Sequence, residues 1–376
     1  MSLLITSPST TRPYSFAALE LLRKHLGAFF ADADAKFRMD IAGKIRDMFK
    51  RVRGAIHVLK RSIPRVRAKA RKANMAATEA DVATQPILYR SNLITLPEAQ
   101  LVHCLGYHEK FLRWYVGFLC SELTPTASYQ RHVASLKALM FITRLEGEAN
   151  KAWETADDQV LFFDLFDDKW ARALFDLLMD PFDDVRDMSA TVLKRIYADD
   201  RYRRFALSSD ADDRRVSETL VKVAKRAERL SQRTSRADHS DGASRAWQLV
   251  FRFLDTGEKQ VAFLAKMIDE LDRKTSMAET DLGRAVLEAP LHGDISSLNH
   301  IWQVVSELRL AEADLAAVQA LQSRLVSCCG RVWDAVKDVL CDDSPEGHLP
   351  QELEDMEGLD TKGLLSFSFR AVHESR

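Results

Sequence analysis

Residues 177–190 read LLMDPFDDVRDMSA and carry the most informative local pattern in the chain. Asp180-Pro181 is a typical helix start, because the carboxylate can cap free backbone N–H groups and proline fits the first helical position. Beyond it, an apolar residue returns every three or four positions, at Val185, Met188, Val192 and Ile196. This spacing puts those side chains on one face, so the stretch predicts an amphipathic helix that begins near Pro181.

The same helical spacing recurs along the chain. One long apolar stripe consists of Phe37, Ile41, Ile45, Met48, Val52, Ile56 and Leu59, and another of Val216, Leu220, Val223, Ala227 and Leu230. Runs that alternate apolar and polar residues, as half-buried strands do, are hard to find. With 14 glycines and 10 prolines among 376 residues, the chain is also poor in the tight turns that sheets need. The sequence therefore predicts an all-α protein.

Prolines and polar clusters predict where the helices end. Thr124-Pro125 offers a second helix start, similar to the one at Asp180-Pro181. We expect breaks near Pro64, Pro86, Pro97, Asp210 to Asp213, Asp238 to Gly242, Pro290 and Ser344 to Pro350.

The arrangement of these helices is predicted from the residues around Asp180. HEAT repeats place an aspartate before the second helix of a pair and a Val-Arg on its first turn, as Asp180, Val185 and Arg186 do. Weaker echoes surround Arg131 and Arg245, which lie 55 and 59 residues from Arg186, longer than a regular HEAT period. We predict a HEAT/armadillo-like solenoid, a right-handed stack of antiparallel helix pairs with degenerate repeats. A non-repetitive helical domain is the alternative.

The sequence offers no recognisable catalytic motif. G-x-G-x-x-G, G-x-x-x-x-G-K-[ST], H-E-x-x-H and G-x-S-x-G are all absent. We therefore expect no catalytic residue, no cofactor and no metal site, and we interpret the D-x-D of Asp32 and Asp34 as a solvated loop. The five cysteines form no C-x-x-C pair and are expected to be reduced thiols in a cytosolic or nuclear protein, and of these compartments we predict the cytoplasm. No apolar run is long enough to predict a membrane span.

One segment is strongly basic although the formal net charge of the chain is -1. Between Lys44 and Lys72 there are twelve Lys and Arg residues and a single acid, Asp47. Such a surface attracts phosphates through Coulomb energy and counterion release. The candidate RNA-binding residues are Lys44, Arg46, Lys50, Arg51, Arg53, Lys60, Arg61, Arg65, Arg67 and Lys69. The alternative is a solvated face whose cations pair with acids of neighbouring helices.

The C-terminal sequence resembles the thyroid adenoma-associated (THADA) protein family. Two segments carry the resemblance, DSPEGHLP at 343–350 and LLSFSFRAVHES at 364–375. The matching residues include Ser344, Pro345, Glu346, Gly347, Ser368, Arg370 and Glu374. Residues 37–54 and 124–132 are similar to the family more modestly. The matches occur in order over nearly the whole chain.

The resemblance implies a non-catalytic protein that works through partners. The best understood members of the family are long HEAT/armadillo solenoids that accompany a tRNA ribose 2'-O-methyltransferase acting on the anticodon loop. It therefore implies two partners, the catalytic methyltransferase subunit and tRNA, and neither a membrane nor a small-molecule substrate. Rival hypotheses are a HEAT scaffold that binds only proteins, and a regulatory module that docks through its acidic segment.

The resemblance also suggests a division of the chain. Residues 1–341 would form the degenerate repeats, 342–359 an acidic loop, and 360–376 the start of the family's C-terminal domain of unknown function. The family's downstream R-R-x-A-G-[LI]-P motif is missing, and the chain stops inside a helical pattern formed by Leu365, Phe369 and Val372. We therefore expect a truncated member of the family.

Overall fold

A computed structural model describes residues 11–72, 87, 92–147, 168–198, 214–234, 236–254, 256–305, 307, 311–340 and 358–375. These ranges contain thirteen α-helices, one short 3-10 helix and no strand. The all-α prediction is thus confirmed, whereas the right-handed stacking of the helix pairs stays a prediction.

The chain divides into two compact units. Unit 1 consists of Met1–Leu177 and Asp184–Ala211, and unit 2 of Leu178–Asp183 and Asp212–Arg376. The first six helices, which apart from Asp183 belong to unit 1, are α1 (Phe16–Phe30), α2 (Ala35–Lys72), α3 (Glu98–Ser121), α4 (Tyr129–Gly147), α5 (Asp168–Leu177) and α6 (Asp183–Ala198). The 3-10 helix, Leu93–Thr95, precedes α3.

Unit 1 is built around α2, which packs along α3 and α4. Its predicted apolar stripe is confirmed. The six members of the stripe from Ile41 to Leu59 are at most 7% exposed, and only its first member, Phe37, is half-buried. The Phe49 ring lies between two other rings, with its centroid 6.4 Å from that of Tyr115 and 6.1 Å from that of Phe141. Contacts between aromatic rings therefore fix α2 against both neighbouring helices.

The described part of unit 2 contains seven helices: α7 (Arg214–Thr234), α8 (Ala237–Arg252), α9 (Gly257–Thr280), α10 (Leu282–Glu288), α11 (His292–Val305), α12 (Glu312–Leu340) and α13 (Thr361–Glu374). Two residues separate α7 from α8, so these packed helices run in opposite directions. Helix α8 also packs on α11, and α9 packs on α12. A hydrophobic core that includes Leu264, Ile268 and Leu298 extends from Phe251 on α8 to Phe367 on α13.

The predicted break at Pro64 is wrong. Helix α2 runs without interruption for 38 residues, with Pro64 inside it. Proline removes one backbone donor and crowds the carbonyl four residues earlier, which usually ends or kinks a helix. Here the ring is exposed, while Ile63 and Val66 on either side pack with Leu59, Leu101 and Cys104. This packing holds the helix together across the proline.

Other predicted boundaries are displaced or confirmed. Helix α6 begins at Asp183 rather than Pro181, because the Asp180 carboxylate accepts the backbone N–H of Phe182 at 2.9 Å and forms a turn instead. Helix α4 begins at Tyr129, four residues after Pro125, and α8 continues through the break expected at Asp238 to Gly242. Breaks near Pro97 and Pro290 are confirmed. The breaks expected at Pro86, Asp210 to Asp213 and Ser344 to Pro350 lie outside the described residues.

The C-terminal helix α13 packs through a stripe that the sequence analysis did not name. The Asp360 carboxylate caps it by accepting the Gly363 N–H at 2.6 Å. Its buried side includes Leu364, Phe367 and Ala371, whereas Phe369 is 63% exposed. Among the family-motif residues, Ser368 is fully buried, and the Glu374 carbonyl accepts the Asn299 side-chain amide at 2.5 Å. Ser344, Pro345, Glu346, Gly347 and almost all of the acidic segment 342–359 lie outside the described part of the chain.

Candidate nucleic-acid interface

Helix α2 carries all ten candidate RNA-binding residues, and its N-terminal half is held by contacts within unit 1. The Arg51 guanidinium donates from Nε to the Arg12 carbonyl at 2.9 Å. It also lies over the Tyr14 ring, with Cζ 3.8 Å from the ring centroid. Arg53 is buried, at 2% exposure, so it does not share the exposed face on which the sequence analysis placed it. Both side chains thus serve packing in this structure.

The other candidate cations in the N-terminal half of α2 are partly buried or lie near other side chains. Lys50 lies over the Phe141 ring, with Nζ 5.6 Å from its centroid, and is half-buried. Arg46 is exposed and lies 3.8 Å from the carboxylate of its neighbour Asp47. Lys44 is half-buried.

The C-terminal half contains two cations that pair with acids on α3. The Lys60 ammonium lies 3.7 Å from the Glu109 carboxylate. The Arg67 guanidinium lies 2.6 Å from that of Glu98, which raises the pKa of Arg67 through the hydrogen bond and the negative charge. For these two residues the arrangement agrees with the alternative of a solvated, ion-paired face.

Three of the candidate cations in this half remain open to solvent. Arg61, Arg65 and Lys69 are all exposed, and none forms an ion pair with another described residue. Their spacing of four residues places them on one side of α2, opposite the buried Leu59, Ile63 and Val66. We call these three residues the α2 stripe. Over eight residues it spans about 12 Å along the helix axis.

A hydrogen-bond network that was not predicted from the sequence anchors the segment before α1. The Tyr14 N–H donates to His108 Nε2 at 3.0 Å, and the Tyr107 hydroxyl donates to the Tyr14 carbonyl at 2.9 Å. His108 Nδ1 lies 2.8 Å from the Cys104 carbonyl, and burial lowers the pKa of this histidine to about 4. Pairs of polar residues 90 or more positions apart leave no periodic signal, so nothing in the sequence pointed to this contact.

A cavity of about 470 Å³ lies beside α2 in unit 1. Its wall is largely apolar and aromatic, and it includes Phe30, Ile41, Tyr115 and Phe141. The Tyr115 hydroxyl is buried without a hydrogen-bond partner. Tyr115 lines the cavity through its other atoms, because its hydroxyl is inaccessible to a water-sized probe.

The residues predicted as a repeat motif occupy structural positions. Val185 is fully buried and Arg186 is 6% exposed. The Arg131 guanidinium donates to both oxygens of the Glu122 carboxylate, at 3.0 and 3.2 Å, and Glu122 directly follows α3. This pair links the start of α4 to the end of the preceding helix. Whether these residues mark a true repeat stays a prediction.

The remaining sequence predictions concern metals, thiols and membranes. Asp34 caps α2 by accepting the Lys36 N–H at 2.8 Å, and Asp32 accepts the Asp34 N–H at 2.9 Å, so the D-x-D is a capping loop. No group of three metal-ligating side chains occurs among the described residues. The four described cysteines are free thiols, while Cys341 lies outside the described ranges. No helix within those ranges has the length and apolarity needed to cross a bilayer.

Comparison with known proteins identifies the family. A family model described as Trm732, TPR repeats, matches residues 1–187, and one described as THADA/TRM732, DUF2428, matches residues 320–376. The first supports helical repeats, although it assigns them to the TPR type. The second begins within α12, upstream of residue 360, where the sequence analysis placed the start of this domain. No solved structure matches the chain.

Two curated relatives agree with these models. One is the tRNA (32-2'-O)-methyltransferase regulator trm732 of Schizosaccharomyces pombe, 23% identical over 99% of this chain. The other is the tRNA (32-2'-O)-methyltransferase regulator THADA of Drosophila melanogaster, 25% identical over 64% of this chain. The chain spans 23% of the length of the first relative and 13% of the second. Both family models and both relatives agree, and the chain belongs to the THADA/TRM732 family.

Proposed function

We propose that this chain is a non-catalytic regulator of a tRNA ribose 2'-O-methyltransferase and that it acts by binding both the enzyme and tRNA. The observation that carries the proposal is its family membership, because both relatives bear the name of regulators of a methyltransferase acting at tRNA position 32. The methyltransferase partner would supply the cofactor and the chemistry. The helical chain would supply a binding surface, and the cytoplasm would be its compartment.

The α2 stripe is the part of this surface that we assign to tRNA. Arg61, Arg65 and Lys69 are exposed, share one face and pair with no described acid. A phosphate could therefore bind them without breaking an existing ion pair. Arg51 is hydrogen-bonded within unit 1 and Arg53 is buried, so we do not assign them to the tRNA-binding surface. Phosphate contacts position an RNA rather than read its sequence, so the stripe would not select the target nucleotide.

The binding half of this proposal is tested by titrating labelled tRNA with the chain at several salt concentrations. We expect Arg61→Gln, Arg65→Gln and Lys69→Gln together to weaken binding about tenfold or more and to lower the salt slope by roughly two to three. The matched control replaces three exposed cations on α1 and α5, Arg23, Lys24 and Arg172, by glutamine. An equal loss in the control would assign the effect to total charge rather than to the stripe.

The regulatory half is tested by a methylation assay. The catalytic subunit should modify tRNA faster when the chain is present, and the chain alone should transfer no methyl group. A protein-only scaffold would bind the enzyme yet show no salt-dependent affinity for tRNA, and that result would favour the rival hypothesis.

A further inference from the structure

A second cationic helix face lies in unit 2, in a region that neither family model matches. Helix α7 has four exposed cations, Lys222, Arg226, Arg229 and Arg233, separated by four, three and four residues. This spacing places all four on one side of the helix, over about 16 Å of its length. We call these four residues the α7 face. It was not predicted from the sequence, in which the denser basic run lies before residue 72.

The opposite side of α7 is the side that the fold uses. Leu220, Ala224, Ala227 and Ser231 are each at most 8% exposed, and α7 packs on α8. The helix is therefore fixed by its apolar side, and the α7 face points away from the core of unit 2. The four cations therefore lie off the side through which α7 packs on α8.

Acids do not neutralise the α7 face. None of its four residues forms an ion pair with another described residue, and the nearest recorded polar contact is from Arg229 Nε to the Lys225 carbonyl at 3.2 Å. Lys225 adds a fifth exposed cation beside them. The one acid between residues 220 and 234 is Glu228, which is half-buried, lies near Asp294 and Lys274, and also interacts electrostatically with Lys225, which is not one of the four.

Other arginines of the same unit behave differently. On α12, the Arg324 guanidinium lies 2.7 Å from the Asp269 carboxylate, and that of Arg331 lies 2.5 Å from Glu279. On α9 and α10, Arg273 and Arg284 each pair with a glutamate of their own helix. Cations in unit 2 are thus commonly compensated, and the α7 face departs from that pattern.

We infer that the α7 face binds the phosphodiester backbone of RNA. Protein interfaces generally have a desolvated apolar or aromatic centre, whereas the only exposed large apolar side chain described beside these four cations is Leu230, which is 37% exposed and too small to form such a centre. A membrane-surface helix must insert its apolar side into lipid, but the apolar side of α7 is buried on α8. A row of uncompensated cations without an apolar centre suits a polyanion that is held by charge and independently of sequence. The inference rests on the proposed function in taking that polyanion to be tRNA.

The test replaces the α7 face by glutamine, with Lys222→Gln, Arg226→Gln, Arg229→Gln and Arg233→Gln in one chain. Glutamine keeps a high helix propensity and leaves the buried side unchanged, and circular dichroism checks the fold. The matched control, Arg273→Gln, Arg284→Gln, Arg324→Gln and Lys337→Gln, removes the same charge from ion-paired positions of unit 2, of which the three arginines are exposed and Lys337 is half-buried. Binding of tRNA is measured for the wild-type chain, both variants and the α2-stripe variant over a salt series.

We expect the α7 variant to bind tRNA roughly ten- to a hundredfold more weakly, with its salt slope lowered by about three to four, and the control to change much less. Equal effects in the α7 variant and its control would overturn the inference. If only the α2-stripe variant loses affinity, the inference fails and the proposed function stands. If the wild-type chain shows no salt-dependent binding, both fail.

The same chains are also tested against phosphatidylserine vesicles and polyglutamate. An α7 variant that loses binding to one of these probes, while its affinity for tRNA stays at the wild-type value, would show that the face serves a lipid surface or an acidic protein. That outcome would contradict the inference.

Discussion

At the scale of single residues, His108 makes the stability of unit 1 depend on pH. Its buried ring is neutral in the fold, with a pKa lowered to about 4, whereas an unfolded histidine has a pKa of about 6.5. Between these values the unfolded chain binds a proton that the folded chain does not. The free energy of unfolding should therefore fall as the pH drops from about 6.5 toward 4, by up to roughly 1.4 kcal/mol per pH unit.

The variant His108→Gln removes this titration, and urea unfolding at several pH values between 7 and 4 measures the effect. We expect a lower stability than wild type at pH 7, because glutamine can offer the Tyr14 N–H an amide oxygen but cannot reproduce the Nδ1 hydrogen bond to the Cys104 carbonyl, and a flatter decline toward pH 4. His292 in unit 2 also has a pKa lowered to about 4, mainly by burial, so His292→Gln is a comparison variant. An unchanged slope in His108→Gln would contradict the prediction.

At the scale of one helix, Pro64 should cost α2 stability. It sits in the helix interior, where proline is about 3 kcal/mol less favourable than alanine, and its exposed ring contributes little packing. We expect Pro64→Ala to stabilise the protein by up to about 2 kcal/mol, after roughly 1 kcal/mol is lost to the greater freedom of the unfolded chain. Thermal melting measures the change.

Pro97 provides the control, because it occupies the N-cap of α3, where no helical hydrogen bond is lost. Pro97→Ala should leave the melting temperature unchanged or lower it. A melting temperature that falls in Pro64→Ala would show that the proline is needed where it stands.

The helices also show what sequence patterns can and cannot predict. The stripes of α2 and α6 are buried as predicted, because a spacing of three or four residues has few other interpretations. On α7 the prediction was half right, since Leu220 and Ala227 are buried but Leu230 is 37% exposed. The helix break predicted at Pro64 is wrong because the packing that outweighs the proline involves Leu101 and Cys104, about 40 residues away in the sequence.

The candidate site was harder to predict than the helices. A run of basic residues predicts a cationic helix, but it does not predict which of the cations are exposed to solvent. Residues 52–57 of α2 are all buried, so Arg53 lies inside although its position on the helix predicted an outward side chain. The pairing of Arg67 with Glu98 likewise depends on how α3 lies beside α2. Only tertiary packing separates the α2 stripe from the rest of the basic run.

At the scale of the whole molecule, the lack of nucleotide-binding motifs leads us to expect no affinity for S-adenosylmethionine. The sequence has no glycine-rich turn of the G-x-G-x-x-G type, and the proposed function leaves the cofactor to the partner enzyme. Titration calorimetry of the chain with S-adenosylmethionine should give no stoichiometric heat, whereas the catalytic subunit should. One-to-one binding by the chain alone would refute the assignment as a non-catalytic regulator.

The uninterrupted course of α2 also constrains how this helix can change in length. Buried and exposed residues alternate along this one helix. The buried ones are Leu59, Ile63 and Val66, and the exposed ones are Arg61, Arg65 and Lys69. Inserting one residue before Arg61 would rotate everything beyond it by about 100°, turning cations toward α3 and apolar side chains toward water. Seven inserted residues would restore the orientation to within about 20°. The outer surface of α2 can therefore vary by substitution, while insertions and deletions are tolerated only in steps of about two helical turns.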